Sequence, residues 1–174
     1  MLKMIHIEKS FNIGTVNEKQ IFKGLDLTIN DGDFITVIGG NGAGKSTMLN
    51  LIAGVHKADG GRIILDDEDL TYRNETQRAK YIGRVFQDPM MGTAPTMMIE
   101  ENLAMAYRRT KKRTLAWGIS QKERELYRES LAQLGLGLED RMKTKVGLLS
   151  GGQRQAVTLL MATLQKPKLL LLDE

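Results

Sequence analysis

Residue type and spacing imply chemistry most directly between Gly39 and Thr47, GGNGAGKST. The run fits G-x-x-x-x-G-K-[ST], with Gly39, Gly44, Lys45 and Ser46 on the fixed positions and Gly40, Asn41, Gly42, Ala43 and Thr47 completing it. Glycines let the chain bend tightly and bring bare backbone N–H groups against phosphate oxygens, where a Cβ would hold them off. The loop leads into a helix N-terminus, whose unpaired N–H groups and positive dipole end favour an anion. From there Lys45 can reach β- and γ-phosphates, and the Ser46 hydroxyl can take one place on Mg²⁺. These residues predict a nucleoside triphosphate site.

Three further groups have chemistry that such a site could use. Gln87 directly follows an apolar run, which would put its amide at the carboxyl edge of a sheet, where ligands of open α/β sheets bind. Leu149-Ser150-Gly151-Gly152-Gln153 sets a hydroxyl and two bare glycine amides at the mouth of a helix, a second anion-binding device. Leu169–Leu172 runs straight into Asp173 and Glu174. One carboxylate there can hold Mg²⁺ through water, and the next can accept a proton from an attacking water.

The elements that must carry these residues follow from periodicity. Met4–Phe11 and Ile21–Ile29 alternate apolar and polar, as half-buried strands do, around a polar loop from Asn12 to Gln20. Phe34–Ile38 is short, continuous and apolar, the pattern of a strand covered on both faces of a parallel sheet. A helix over Ser46–Ala53 should end at Gly54. Arg62–Leu65 and Ile82–Phe86 read as strands, with Asn74-Glu75-Thr76-Gln77 capping a short helix between them. From there to Val146 the signal is helical: Thr96 can cap a helix to Arg109, and Ser120–Glu123 forms a capping box ahead of Tyr127, Leu131 and Leu134 on one face. Trp117, the one tryptophan, reads as a packing anchor. Gln153–Gln165 is apolar almost all round, as a helix buried on every side would be, and Pro167 stops it. Alternating strands and helices predict a doubly wound α/β core interrupted by a helical insertion.

Composition narrows the function classes. At 174 residues, with 41% hydrophobic and 26% charged, the chain can bury a core. It has no cysteine, hence no disulfide and no thiolate metal site. No apolar run approaches the roughly 20 residues that span a bilayer. Net charge is +4, and the stretch from Thr96 to Lys145 holds 11 basic against 7 acidic residues. Its densest part, Arg108–Arg113 (RRTKKR), suits either a solvated helix end or contact with an acidic partner or lipid headgroups.

With Walker A, Q-loop, LSGGQ signature and Walker B in this order, the chain resembles the ATP-binding subunit of an ABC (ATP-binding cassette) transporter along its whole length. The resemblance implies a P-loop NTPase core of ABC ATPase type with an antiparallel β subdomain and an inserted α-helical subdomain. By this reading residues 1–86 form the nucleotide-binding core, 87–148 the Q-loop and helical subdomain, and 149–174 the signature, its helix and the Walker B strand. It further implies ATP and Mg²⁺ as ligands, with Gly39 to Thr47 around the phosphates and Phe11 stacked on adenine. Gln87 would sense the γ-phosphate and Mg²⁺, Asp173 would support Mg²⁺, and Glu174 would be the general base. Ser150, Gly151, Gly152 and Gln153 would close over the nucleotide of a second cassette, in a homodimer. The partners implied are transmembrane permease subunits that hold the chain at the cytoplasmic face of the membrane. The passage Gly83–Tyr107 resembles cassettes of tryptophan/tyrosine-type uptake systems.

Members of that family continue beyond the Walker B glutamate into a D-loop and a switch histidine, and neither His6 nor His56 can fill that place by sequence order. The expectation is a truncated cassette that binds ATP and turns it over poorly. A cytosolic, non-transport ABC ATPase of DNA repair or translation is the alternative; the coiled-coil type is disfavoured because the interval from Lys45 to Asp173 holds no heptad run.

Overall fold

The computed structural model describes residues 1–88, 90–109 and 118–173. They form two compact units, Met1–Arg78 and Ala79–Glu174.

In the first unit, β1 (Leu2–Phe11) lies between β2 (Lys19–Ile29) and β3 (Gly60–Leu65), with β4 (Glu68–Asp69) outermost, all antiparallel. Alternation holds on β3, where Ile63 and Leu65 are buried, but breaks on β1: Leu2, Met4 and Ile7 are buried while Ile5 is 41% exposed, so Ile5 and Ile7 do not share the buried face the sequence suggests. β1 bulges at His6, whose φ is 50°, and its N–H leaves the ladder to donate to Asp26 Oδ1 at 2.7 Å. Gly61 on β3 has to pass the carbonyls of Ile5 and His6 at this bulge, closer than any Cβ could. Helix α1 (Lys45–Ala53) buries Met48, Leu51, Ile52 and Ala53 and ends at Gly54 in the left-handed region, as the sequence predicts. The predicted cap of α2 (Glu75–Arg78) is present: Asn74 and Gln77 exchange two 3.0 Å bonds between side chain and backbone.

The run Phe34–Ile38 departs from expectation. It joins no strand, and Phe34 and Ile38 are each 90% exposed. A continuous apolar run signals burial on two faces, but a strand exists only where a neighbour takes up its N–H and C=O groups. The meander of this unit closes its ladder among β1 to β4, and β5 and β6 pair with each other.

In the second unit, β5 (Ile82–Val85) and β6 (Leu169–Leu172) run parallel with Ile82 opposite Leu169. Helices α3 (Ile99–Arg108), α4 (Gln121–Ala132) and α5 (Gly151–Thr163) share one core with Leu138, Met142, Val146 and Leu149. Ser120 and Glu123 form the expected capping box of α4. Thr96 does not cap α3. The helix starts three residues later, where the Glu101 carboxylate accepts the Met98 N–H at 2.7 Å, so a carboxylate replaces the hydroxyl the sequence suggested. Nor is α5 buried on every side: Val157, Thr158 and Ala162 are buried, but Leu159 is 42% exposed. Its apolar residues exceed what one buried face requires. Trp117 and residues 110–113 of the basic run lie outside the described residues.

Candidate functional site

The phosphate loop is held in shape by its own backbone and by β2. Gly42 and Gly44 have φ of 79° and 94°, conformations that a side chain disfavours. Gly44 also abuts β2: a Cβ there would stand 2.8 Å from Ile21 Cγ2. The Gly44 carbonyl accepts from Met48 N at 2.8 Å, which opens α1. Lys45 Nζ folds back onto the carbonyls of Gly39 at 2.6 Å and Gly40 at 3.1 Å, so its charge lies over the loop. The concavity above has a volume of about 240 Å³ and is lined by Lys19, Ile21 and residues 41–47, Ser46 and Thr47 included. Its described lining carries two ammonium groups and no carboxylate, which suits an anion.

Phe11, at the end of β1, is half-buried, its ring edge-on to His56 with centroids 5.3 Å apart. Lys9 Nζ lies 5.3 Å from the same ring and donates to Asp59 Oδ1 at 2.8 Å. Phe11 stands opposite Lys19 in the β1/β2 ladder, which connects the aromatic ring to the lining of the phosphate loop.

In the second unit, Gln87 follows β5 with an exposed side chain. Ser150 caps α5: its hydroxyl accepts from Gln153 N at 3.3 Å, while Ser150 N donates to Gln153 Oε1 at 3.2 Å. Gly151 and Gly152 occupy the exposed first turn with nothing within 4 Å of where a Cβ would stand. The signature therefore presents a helix N-terminus with open space above it. Asp173 ends β6 and accepts from Arg84 Nη2 at 3.1 Å. Glu174 lies outside the described residues.

Several contacts around these residues were not legible from their types. Asn102 is fully buried and clasps the segment after Gln87: its Oδ1 accepts from Ala94 N at 2.7 Å, and its Nδ2 donates to the carbonyls of Ala94, Met97 and Met98. That segment is laced to the approach of the signature by Val146 N to Met97 O at 3.0 Å and Gly147 N to Pro95 O at 2.9 Å. Arg154 completes the junction, donating to the carbonyls of Val146, Gly147 and Leu149. The segments that hold Gln87 and Ser150 are thus joined through a hydrogen-bonded seam within one unit. An asparagine inside an apolar helix face was the available signal for Asn102; nothing in the sequence singled out Lys19 or Arg84.

The Ser46 hydroxyl in the first unit, and the Gln87 amide and Asp173 carboxylate in the second, are oxygen donors of the kind that hard divalent cations take. Among the described residues no cluster of three or more His, Cys, Asp or Glu could cage a metal by itself.

A family model described as ABC transporter matches residues 22–174. The chain is 41% identical over 174 residues to a tyrosine transport ATP-binding protein of Clostridioides difficile (strain R20291), spanning 100% of this chain and 69% of that protein. It is 42% identical over 156 residues to the spermidine/putrescine import ATP-binding protein PotA of Escherichia coli (strain K12), spanning 90% of this chain and 38% of that protein. The fold matches the ATP-binding cassette MJ0796, solved as a dimer in a post-hydrolysis state with ADP and Pi, at a TM-score of 0.82 and 29% identity over 100% of this chain and 74% of that one. It also matches cbiO1 from Clostridium perfringens, part of the ABC transporter complex cbiONQ, at a TM-score of 0.75 and 26% identity over 99% of this chain and 64% of that one.

Proposed function

The chain belongs to the ABC transporter family, and from that premise we propose that it is the ATP-binding and ATP-hydrolysing part of an importer, working on permease subunits at the cytoplasmic face of a membrane. The observation that supports this reading is the concavity lined by Lys19, Ile21 and residues 41–47 at the start of α1, whose two ammonium groups suit an anion. No helix among the described residues is long and apolar enough to cross a membrane. The names of the relatives point to small cationic or zwitterionic solutes, and 41% identity over the whole chain favours an amino acid of the tyrosine kind.

ATP is proposed to lie with its phosphates over Gly39 to Thr47 and its base against Phe11. Lys45 must leave the Gly39 and Gly40 carbonyls to meet the phosphates, exchanging two neutral acceptors for an anion. A bound Mg²⁺ would neutralise charge on the phosphate oxygens, and Ser46, Gln87 and Asp173 are the residues proposed to hold it. Phosphoryl transfer to water needs chiefly positioning and charge stabilisation, which the loop amides and Lys45 supply, and a base, the role proposed for Glu174. The open space over Gly151 and Gly152 supports closure of this helix start, capped by Ser150 and Gln153, on the nucleotide of a second copy. Closure would pull on the seam of Asn102 and Arg154 and move the Gln87 segment, which is how nucleotide state could reach a permease.

ATP binding and phosphate release by the intact protein test this reading, with Lys45→Ala beside it. Loss of binding by about 100-fold or more in the variant is expected. Unchanged binding would remove residues 39–47 from the site.

A further inference from the structure

Resting on the nucleotide reading of residues 39–47, the geometry points to Lys19 as a further nucleotide-binding residue, one that engages the base-proximal end of the phosphate chain. Lys19 begins β2 and lines the concavity from the wall facing α1, while Lys45 enters from α1 itself. Its Nζ stands 3.5 Å from where a Cβ on Gly42 would be, directly over the loop.

Lys19 is also the cation in this region whose charge is not already engaged. Lys9 is paired with Asp59 and only 13% exposed, and Lys45 is bonded to two carbonyls of its own loop. Lys19 is exposed and has no hydrogen-bond or ion-pair partner among the described residues. An ammonium held over a glycine loop in a lining without carboxylates attracts phosphate oxygen.

The ladder sets which phosphate. Lys19 is directly opposite Phe11, so the two side chains share a face of the sheet with Cβ atoms about 5 Å apart. A nucleotide that lays its base on Phe11 and its terminal phosphates by Lys45 has to pass Lys19 in between. The charge then falls on the α-phosphate, which ATP, ADP and AMP all carry.

The test is equilibrium binding of ATP, ADP, AMP and adenosine to the intact protein and to Lys19→Gln, Lys19→Arg and Lys45→Ala, at two salt concentrations. Lys19→Gln should weaken ATP, ADP and AMP alike by roughly tenfold, leave adenosine unchanged and flatten the salt dependence. Lys19→Arg should recover most of the loss, which a merely structural effect would not allow, and Lys45→Ala should hit ATP hardest. Unchanged affinities in Lys19→Gln, with ATP still lost in Lys45→Ala, overturn the assignment and leave the nucleotide site standing. ATP binding that survives Lys45→Ala overturns both.

Discussion

Arg78 donates from one guanidinium nitrogen to the carbonyl of Leu51 at 2.6 Å, and from the same nitrogen to that of Ile52 at 2.8 Å, closing the last turn of the helix that begins at the phosphate loop. The helix thus has a buried cation at its end and the proposed phosphate site at its start, the arrangement its dipole favours at both ends.

Arg78 is 1% exposed and also donates to the carbonyls of Arg73 and Thr71. Burial pushes the guanidinium down to about 10, so it is held there at a cost that its hydrogen bonds offset. Arg78→Met should lower stability by about 2–4 kcal/mol, because four carbonyls lose a donor. Arg78→Lys should regain less than half, since an ammonium lacks the planar fork. Urea unfolding reads both; a shift under about 0.5 kcal/mol in Arg78→Met would contradict the account.

Two glycines should respond oppositely. Gly44 needs φ of 94° and has Ile21 against it, so Gly44→Ala should cost about 1–3 kcal/mol and lose nucleotide. Gly151 has open space and begins α5, where a carboxylate suits the dipole. Gly151→Asp should leave the melting temperature unchanged or slightly raised and yet abolish ATP turnover, since its charge would meet a partner's nucleotide. A fall in melting temperature that accounts for the lost turnover would make Gly151 a folding residue instead.

The seam behind the signature depends on Asn102. Asn102→Ala should cost about 2 kcal/mol, by leaving the Ala94 N–H unpaired and taking one of two donors from the carbonyls of Ala94, Met97 and Met98. Amide exchange should accelerate first over residues 94–98 and 145–149. Acceleration spread evenly over the unit would argue against a local seam.

Glu123 contributes to the acid limb of stability, beside Asp59 and Asp69, whose carboxyls are also held below their ordinary value. Arg108 chiefly, with Ser120, holds its carboxylate down to about 2 from 4.5. The folded value lies below the unfolded one, so the pair's contribution is complete above about pH 4.5 and is lost as pH falls towards 2. Glu123→Gln should cost about 1–2 kcal/mol at pH 7 and flatten the stability profile over that window. An unaltered acid limb in the variant would assign the loss to other carboxylates.

What was legible in the sequence was local. The helix start behind the glycine-rich turn and the capping boxes at Asn74 and Ser120 are short-range patterns, each complete within a few residues, and all are present. The Thr96 cap failed because Glu101 satisfied the helix start from inside the first turn. Arg84 on Asp173, Arg154 on the signature approach and Lys19 over Gly42 join residues distant in the chain, whose partners no window of sequence contains. Phe34–Ile38 shows the same limit: a pattern can specify burial without naming the strand that would supply its hydrogen bonds.

Nucleotide held at Gly39 to Thr47 of one copy is proposed to be completed by Ser150–Gln153 of another, and mixing two inactive variants tests this most directly. Lys45→Ala lacks a phosphate loop and Ser150→Phe lacks a signature, so each homodimer has no complete site. A mixed dimer has one intact loop facing one intact signature, and equal mixtures should regain roughly a quarter of the ATP turnover of the unmodified intact protein. Mixtures that stay inactive while each variant remains folded and dimerises would contradict a site shared between copies.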